Sequence, residues 1–134
     1  QITSKTHIII CVLLVICFLL SACSSSEEPF LMESRERNFL KSEFDENYSH
    51  YEDKLNIDKK AKTISVSGNV TSGIIELKII EKDKDGNSIQ TYEFTITDTL
   101  NETIELKKNC SNNWVVLSDF DENTEGGFKV EVFG

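Results

Sequence analysis

From about residue 48 onward the sequence predicts an all-β fold, a single antiparallel β-sandwich of about seven strands, Ig-like or jelly-roll-like. Three observations point there. Apolar and polar residues alternate with period two, and β-branched and aromatic side chains gather on one face. Turn signals separate the alternating segments: "DKDGN" at 83–87, and glycines at 68, 73, 126 and 127. No segment between them is long enough for the helix of a βαβ crossover, which a parallel sheet would require.

The first strand is expected over 48–57, where Tyr51, Leu55 and Ile57 fit a period of two. "TISVSGNV" sets Ile64 and Val66 against Ser65 and Ser67. "GIIELKIIE" sets Ile75, Leu77 and Ile79 against Glu76, Lys78 and Ile80, and "TYEFTIT" sets Tyr92, Phe94 and Ile96 against Glu93 and Thr95. "TIELK" offers Ile104 and Leu106, "NNWVVL" reads as a buried strand, and "FKVEVF" supplies Phe128, Val130 and Val132. The Asp-Gly step of "DKDGN" favours a tight hairpin.

Upstream, Leu40, Phe44, Tyr48, Tyr51 and Leu55 recur at steps of three and four, which would make one apolar helical stripe. Glu36, Arg37, Lys41 and Glu43 fit its solvated side. The sequence therefore predicts a short helix within 31–47, over roughly 31–45, ahead of a sandwich domain spanning 48–134.

Ile8 to Leu20 is an unbroken apolar run, "IIICVLLVICFLL", preceded by Lys5. A bilayer-spanning helix needs roughly 20 apolar residues, whereas a shorter run suits the core of a secretory signal. "LSAC", Leu20 to Cys23, follows and resembles the lipobox of bacterial lipoproteins. That resemblance implies a signal peptide over 1–22 cleaved before Cys23. Cys23 then carries a covalent diacylglyceryl lipid and palmitate-type acylation, and residues 23–30 form a flexible tether. The expected location is the extracytoplasmic face of the bacterial membrane, with the membrane itself as first partner. Two acyl chains anchor where one binds only reversibly.

Downstream, "SGNVTSGIIELKIIEKDKDGN", "NETIELKK", "NNWVVL" and "GGFKVEVF" resemble the small β-sandwich domains of lipoproteins from low-GC Gram-positive bacteria. The likeness covers about residues 48–134, and "NNW" replaces the family's glycine-tyrosine step. It implies a cell-surface location and a sandwich fold, and brings no chemistry with it.

Composition narrows the function. The formal charge is −9, and basic residues look scattered along the chain rather than clustered, which argues against nucleic acid and against a polybasic lipid-binding patch. Losing residues 1–22 removes one basic and no acidic group. Of four cysteines, Cys11 and Cys17 leave with the signal and Cys23 takes lipid, so Cys110 stays alone and no intramolecular disulfide is available. A nucleophilic Cys110 would need a base, and His50 is the one histidine left. No phosphate-cradling loop, nucleophile elbow, HExxH or paired CxxC is present, so neither an enzyme nor a cofactor is expected.

Two sets of candidate site residues remain. "SDFDENTE" places Asp119, Asp121, Asn123 and Glu125 at alternate positions, oxygen ligands of the type calcium prefers, though without the glycine and glutamate of an EF-hand. Trp114 suits either the sandwich core or a groove for a glycan or protein ligand, and Tyr48 and Tyr51, with His50, either pack the first strand or edge such a site. The expected function is a non-catalytic binding module on a lipid anchor. The alternatives are an immunity-type lipoprotein that neutralises a basic toxin through its acidic face, and a structural envelope component.

Overall fold

The computed structural model describes residues 28–134; the signal core, the lipobox and Cys23 lie outside the described residues. Eight strands form two four-stranded antiparallel sheets: β1 (Leu31–Phe39), β2 (His50–Asn56), β3 (Thr63–Ser72), β4 (Ile75–Lys82), β5 (Ser88–Ile96), β6 (Thr99–Glu105), β7 (Asn113–Asp119) and β8 (Glu125–Phe133). One sheet has the order β1-β8-β3-β6 and the other β2-β7-β4-β5. Odd strands run toward one end of the sandwich and even strands run back. The connections 40–49, 73–74, 97–98 and 120–124 therefore share one end, and 57–62, 83–87 and 106–112 share the other.

The expected alternation fills the interior. Leu55, Ile64, Val66, Ile75, Leu77, Ile79, Ile96, Trp114, Val116, Val130 and Val132 are all fully buried. At roughly 25 cal/mol per Å² of apolar surface removed from water, these side chains provide the main drive to fold. The β4–β5 hairpin turns at "DKDGN" as expected: Asp83 N donates to Asn87 O at 2.8 Å, and Gly86 takes φ of 86°. Gly126 adopts φ of 141°, and a Cβ there would lie 2.2 Å from the Asn69 carbonyl oxygen. Only glycine lets β8 start this close to β3.

The expectation of a helix within 31–47 is overturned. Residues 31–39 are a strand that pairs with β8 from Leu31↔Phe133 to Phe39↔Gly126, so the sandwich begins at residue 31 rather than 48. Only two short 3₁₀ turns follow, Lys41–Glu43 and Glu46–Tyr48. The physical reason is that the inner face of β1 is largely charged. Glu33, Arg35, Arg37 and Phe39 point toward β2, and three of the four are satisfied by polar partners instead of hydrocarbon. Arg37 Nε and Nη2 donate to Asp53 Oδ2 and Oδ1, both at 2.7 Å. Arg35 Nε donates to the Lys54 carbonyl at 3.1 Å and also pairs with Glu33, whose other oxygen accepts from Asn56 N at 3.0 Å. Inward charges on an edge strand are one way sheets avoid further pairing.

Candidate functional site

At the end formed by 40–49 and 120–124, aromatic rings from five segments converge. Phe39 ends β1 and stacks on Phe120, with centroids 3.8 Å apart and planes 20° from parallel. Tyr51, near the start of β2, lies parallel to Phe120 within 3° at 5.8 Å. Phe44 meets Phe120 edge-on at 6.1 Å, and Phe128 of β8 tilts against Phe39 at 6.2 Å. Offset and edge contacts of this kind add stabilisation beyond the area they bury. The loop carrying Phe120 is tied to the end of the 40–49 connection by its backbone N–H, which donates to Ser49 O at 3.1 Å.

Phe39, Phe44, Tyr51 and Phe120 wall a hollow of about 290 Å³ rimmed by Asn38, Leu40, Glu43, Asp45 and Tyr48. Leu40 and Tyr48 are 50% and 60% exposed. The rim is built by local hydrogen bonds: Asp45 Oδ1 accepts from Asn47 N at 2.9 Å, capping the second 3₁₀ turn and setting Tyr48 in place. Beneath the floor, the Arg37 guanidinium sits 3.8 Å from the centre of the Tyr51 ring. Its hydrogen bond to Asp53 raises the guanidinium further above its ordinary value, against the opposing effect of burial. The charge is therefore permanent, and the cation–π contact fixes the Tyr51 ring. The hollow thus offers ring faces together with carboxylate acceptors, a combination suited to recognition.

Tyr48 and Tyr51, both singled out in the sequence, meet in this hollow. Their neighbour His50 points the other way, out from β2, with Nδ1 2.7 Å from Asp119 Oδ1. Trp114 is 1% exposed and offers no face to a ligand. Its Nε1 donates to Ser111 O at 2.7 Å and its ring stacks near Tyr92 at 6.2 Å. Alternation along β7 turns it into the core, where a large ring with its one polar atom satisfied belongs.

The four calcium candidates do not converge. Asp119 faces His50; Asp121 Oδ1 accepts from Asn123 N at 2.9 Å and pairs with the Thr124 hydroxyl; Glu125 Oε1 accepts from Lys41 N at 3.4 Å. Among the described residues no group of three or more His, Cys, Asp or Glu side chains is placed to hold a metal ion. Asp121 alone shapes a tight Asx turn at 121–124 instead. Cys110 lies in the 106–112 connection, at the opposite end of the sandwich from His50, so the two do not pair. Burial, then the nearby Glu81, push the Cys110 thiol above its ordinary value and disfavour the thiolate.

Phe39, Phe44 and Phe120 are the site residues the sequence did not reveal. Phe44 falls on the apolar stripe of the expected helix, and Phe120 is hidden among acids in "SDFDENTE".

No family model and no curated protein matches the chain. Among solved structures it is similar to a carbohydrate-binding module described as specific for non-crystalline cellulose, CBM28, at 9% identity over 78% of this chain and 77% of that one, with a TM-score of 0.39. A CBM4 structure aligns at 10% identity over 77% and 74%, with a TM-score of 0.38. A structure of infectious bursal disease virus Gx strain aligns at 11% identity over 81% of this chain and 33% of that one, with a TM-score of 0.35. Likenesses this faint carry no argument about ligand, and the functional reading rests on the chain's own residues.

Proposed function

We propose that this protein is a membrane-anchored surface lipoprotein whose β-sandwich is a non-catalytic binding module, with the aromatic hollow at the 40–49 end as its recognition site. The anchor reading is carried by Lys5, the apolar core to Leu20 and the "LSAC" box ending at Cys23. The recognition reading is carried by one observation: Leu40 and Tyr48 stand exposed beside Glu43 and Asp45 over a floor of stacked rings. Exposed aromatic and aliphatic side chains on end loops are the usual carriers of binding on a rigid sheet scaffold. A ligand that fits presents an apolar or ring surface flanked by hydroxyl or cationic donors.

The toxin-neutralising reading is favoured by a separate observation. The four connections at this end contain one lysine against six acids. A basic partner would be steered to this end, and association would slow steeply as salt is added.

The test pairs two measurements. Fatty-acid labelling is expected to mark the wild type and not Cys23→Ala; labelling of both overturns the anchor. A glycan array and a pull-down from envelope extract, each run with the wild type and Tyr48→Ala, are expected to lose ligand in the variant. Retention of the same ligand at the same level by Tyr48→Ala and by Glu43→Gln/Asp45→Asn overturns the hollow as the recognition site.

A further inference from the structure

The two ends of the sandwich carry opposite charge. Against the acid-rich end described above, the connections 57–62, 83–87 and 106–112 hold six lysines and three aspartates in a chain whose formal charge is −9. Five of those lysines, Lys59, Lys60, Lys62, Lys107 and Lys108, surround one hollow of about 730 Å³. The expectation of scattered basic residues is thereby corrected. β3–β6 pairing, extended by the Leu106 N–H donating to Lys62 O at 2.9 Å, brings together two short lysine runs far apart in sequence. Glu28 and Glu105 also line this hollow and moderate its potential.

This end is also where the chain enters the fold. Phe30 pairs with Gly134 through two backbone hydrogen bonds of 3.4 and 3.0 Å. Phe30 and Leu31 leave 55% and 53% of their surface exposed beside the lysines. Six residues lie between Cys23 and Phe30, so the seven steps reach at most about 25 Å at roughly 3.5 Å per residue.

We propose that the lysine end docks on the anionic headgroups of the leaflet that holds the lipid, with Phe30 and Leu31 at the headgroup boundary. The sandwich then stands with the aromatic hollow directed away from the membrane. The inference rests on the lipid-anchor reading, which puts Cys23 in that leaflet. Charge complementarity selects the occupant: an anionic surface attracts clustered lysines, and their long hydrocarbon stems let the ammonium groups reach it. A short tether raises the effective concentration of headgroups at this end, so modest individual contacts suffice. The acidic end is repelled by the same surface, which reinforces the orientation.

The full chain, processed in a bacterial host, is reconstituted into vesicles of phosphatidylcholine alone or phosphatidylcholine with phosphatidylglycerol, after its intact mass has been recorded. Amide hydrogen exchange is then followed in 57–62 and 106–112, with 40–49 and 120–124 as the internal reference. Exchange in the first pair is expected to slow only in the anionic vesicles. It is expected to recover at high salt, and to be unaffected by lipid composition in Lys59→Gln/Lys60→Gln/Lys107→Gln/Lys108→Gln, whose melting temperature reports that the fold is kept. Equal exchange in both vesicle types, or protection of the acidic end, overturns docking even when the mass shows lipid on Cys23. A mass without lipid overturns the anchor reading instead. Co-sedimentation of that unlipidated chain with the anionic vesicles then decides the docking by itself: about fivefold weaker partition per neutralised lysine supports it, and indifference to the lysines overturns it.

Discussion

The middle of the sandwich and its β1–β2 flank close the same interior with opposite chemistries. In the middle, β3, β4, β7 and β8 meet through aliphatic side chains and Trp114. Such burial is non-directional: it holds the sheets together and tolerates small shifts between them. At the flank, Arg37 grips both oxygens of Asp53, Arg35 reaches the Lys54 carbonyl, and Glu33 accepts from the Asn56 amide. Bonds with fixed geometry determine which residue of β1 faces which residue of β2. That register sets Phe39 beside Tyr51 and so builds the floor of the aromatic hollow. The middle supplies stability, and the flank supplies position.

Mutations in the two regions should therefore differ in size and kind. Trp114→Ala removes the largest fully buried side chain and leaves the Ser111 carbonyl without its partner. Denaturant unfolding is expected to show a loss of about 3–5 kcal/mol. Arg37→Ala at the flank is expected to cost about 1 kcal/mol, because the Arg37 and Asp53 side chains stay 30% and 17% exposed and water screens the pair. Arg37→Met/Asp53→Leu is expected to recover that loss, since hydrocarbon of similar volume can replace an ion pair. The double variant nevertheless should lose ligand binding at the hollow, because Tyr51 no longer has a cation holding its ring. A double variant that binds as the wild type does would erase the distinction between stability and position.

This contrast also explains what the sequence made legible. Strands of the middle announce themselves because period-two hydropathy is the physical cause of their burial, and all seven expected strand regions are present. β1 could not be read that way. Of its inward residues only Phe39 is apolar; Glu33, Arg35 and Arg37 are charged, and a hydropathy pattern registers them as solvated. The apolar residues nearby, Leu40, Phe44 and Tyr48, fall at helical steps but belong to a connection in which Phe44 meets Phe120 edge-on while Leu40 and Tyr48 stand exposed. The hollow was half legible for the same reason: Tyr48 and Tyr51 are close in sequence, whereas Phe120 joins them only through folding. The charge polarity of the two ends was not legible at all, because strand reversal sorts the connections alternately to one end and the other.

A smaller effect is expected at Ser118, which faces the interior of the middle from β7. Its hydroxyl is fully buried and finds no hydrogen-bond partner among the described residues. Taking a hydroxyl from water without a new bond costs free energy, so the aliphatic middle carries one local penalty. Ser118→Ala is expected to raise stability by up to about 1 kcal/mol, read as a shift of the denaturation midpoint without a change of slope. A loss of stability would show that the hydroxyl is satisfied in solution.

The smallest effect is absent at neutral pH and appears only in alkali. Cys110 packs against the core near Tyr92 and Glu81. Burial, with Glu81 second, holds its thiol above the ordinary 9.0, and Tyr92 is likewise held above its ordinary 10.0 by burial and then Glu81. A folded-state value above the unfolded one means the native protein keeps its proton longer. The stability this contributes is complete below the ordinary thiol value and is lost as pH rises through the higher folded value. Unfolding measured from pH 7 upward is therefore expected to show wild type and Cys110→Ser running parallel to about pH 9. Above that the wild type should lose stability faster. Alkylation at mildly alkaline pH is expected to be slower for folded Cys110 than for the unfolded chain, because the thiolate is the reactive form. Curves that stay parallel throughout would mean water reaches the thiol as freely in the fold as out of it. The apolar middle would then end short of the 106–112 connection.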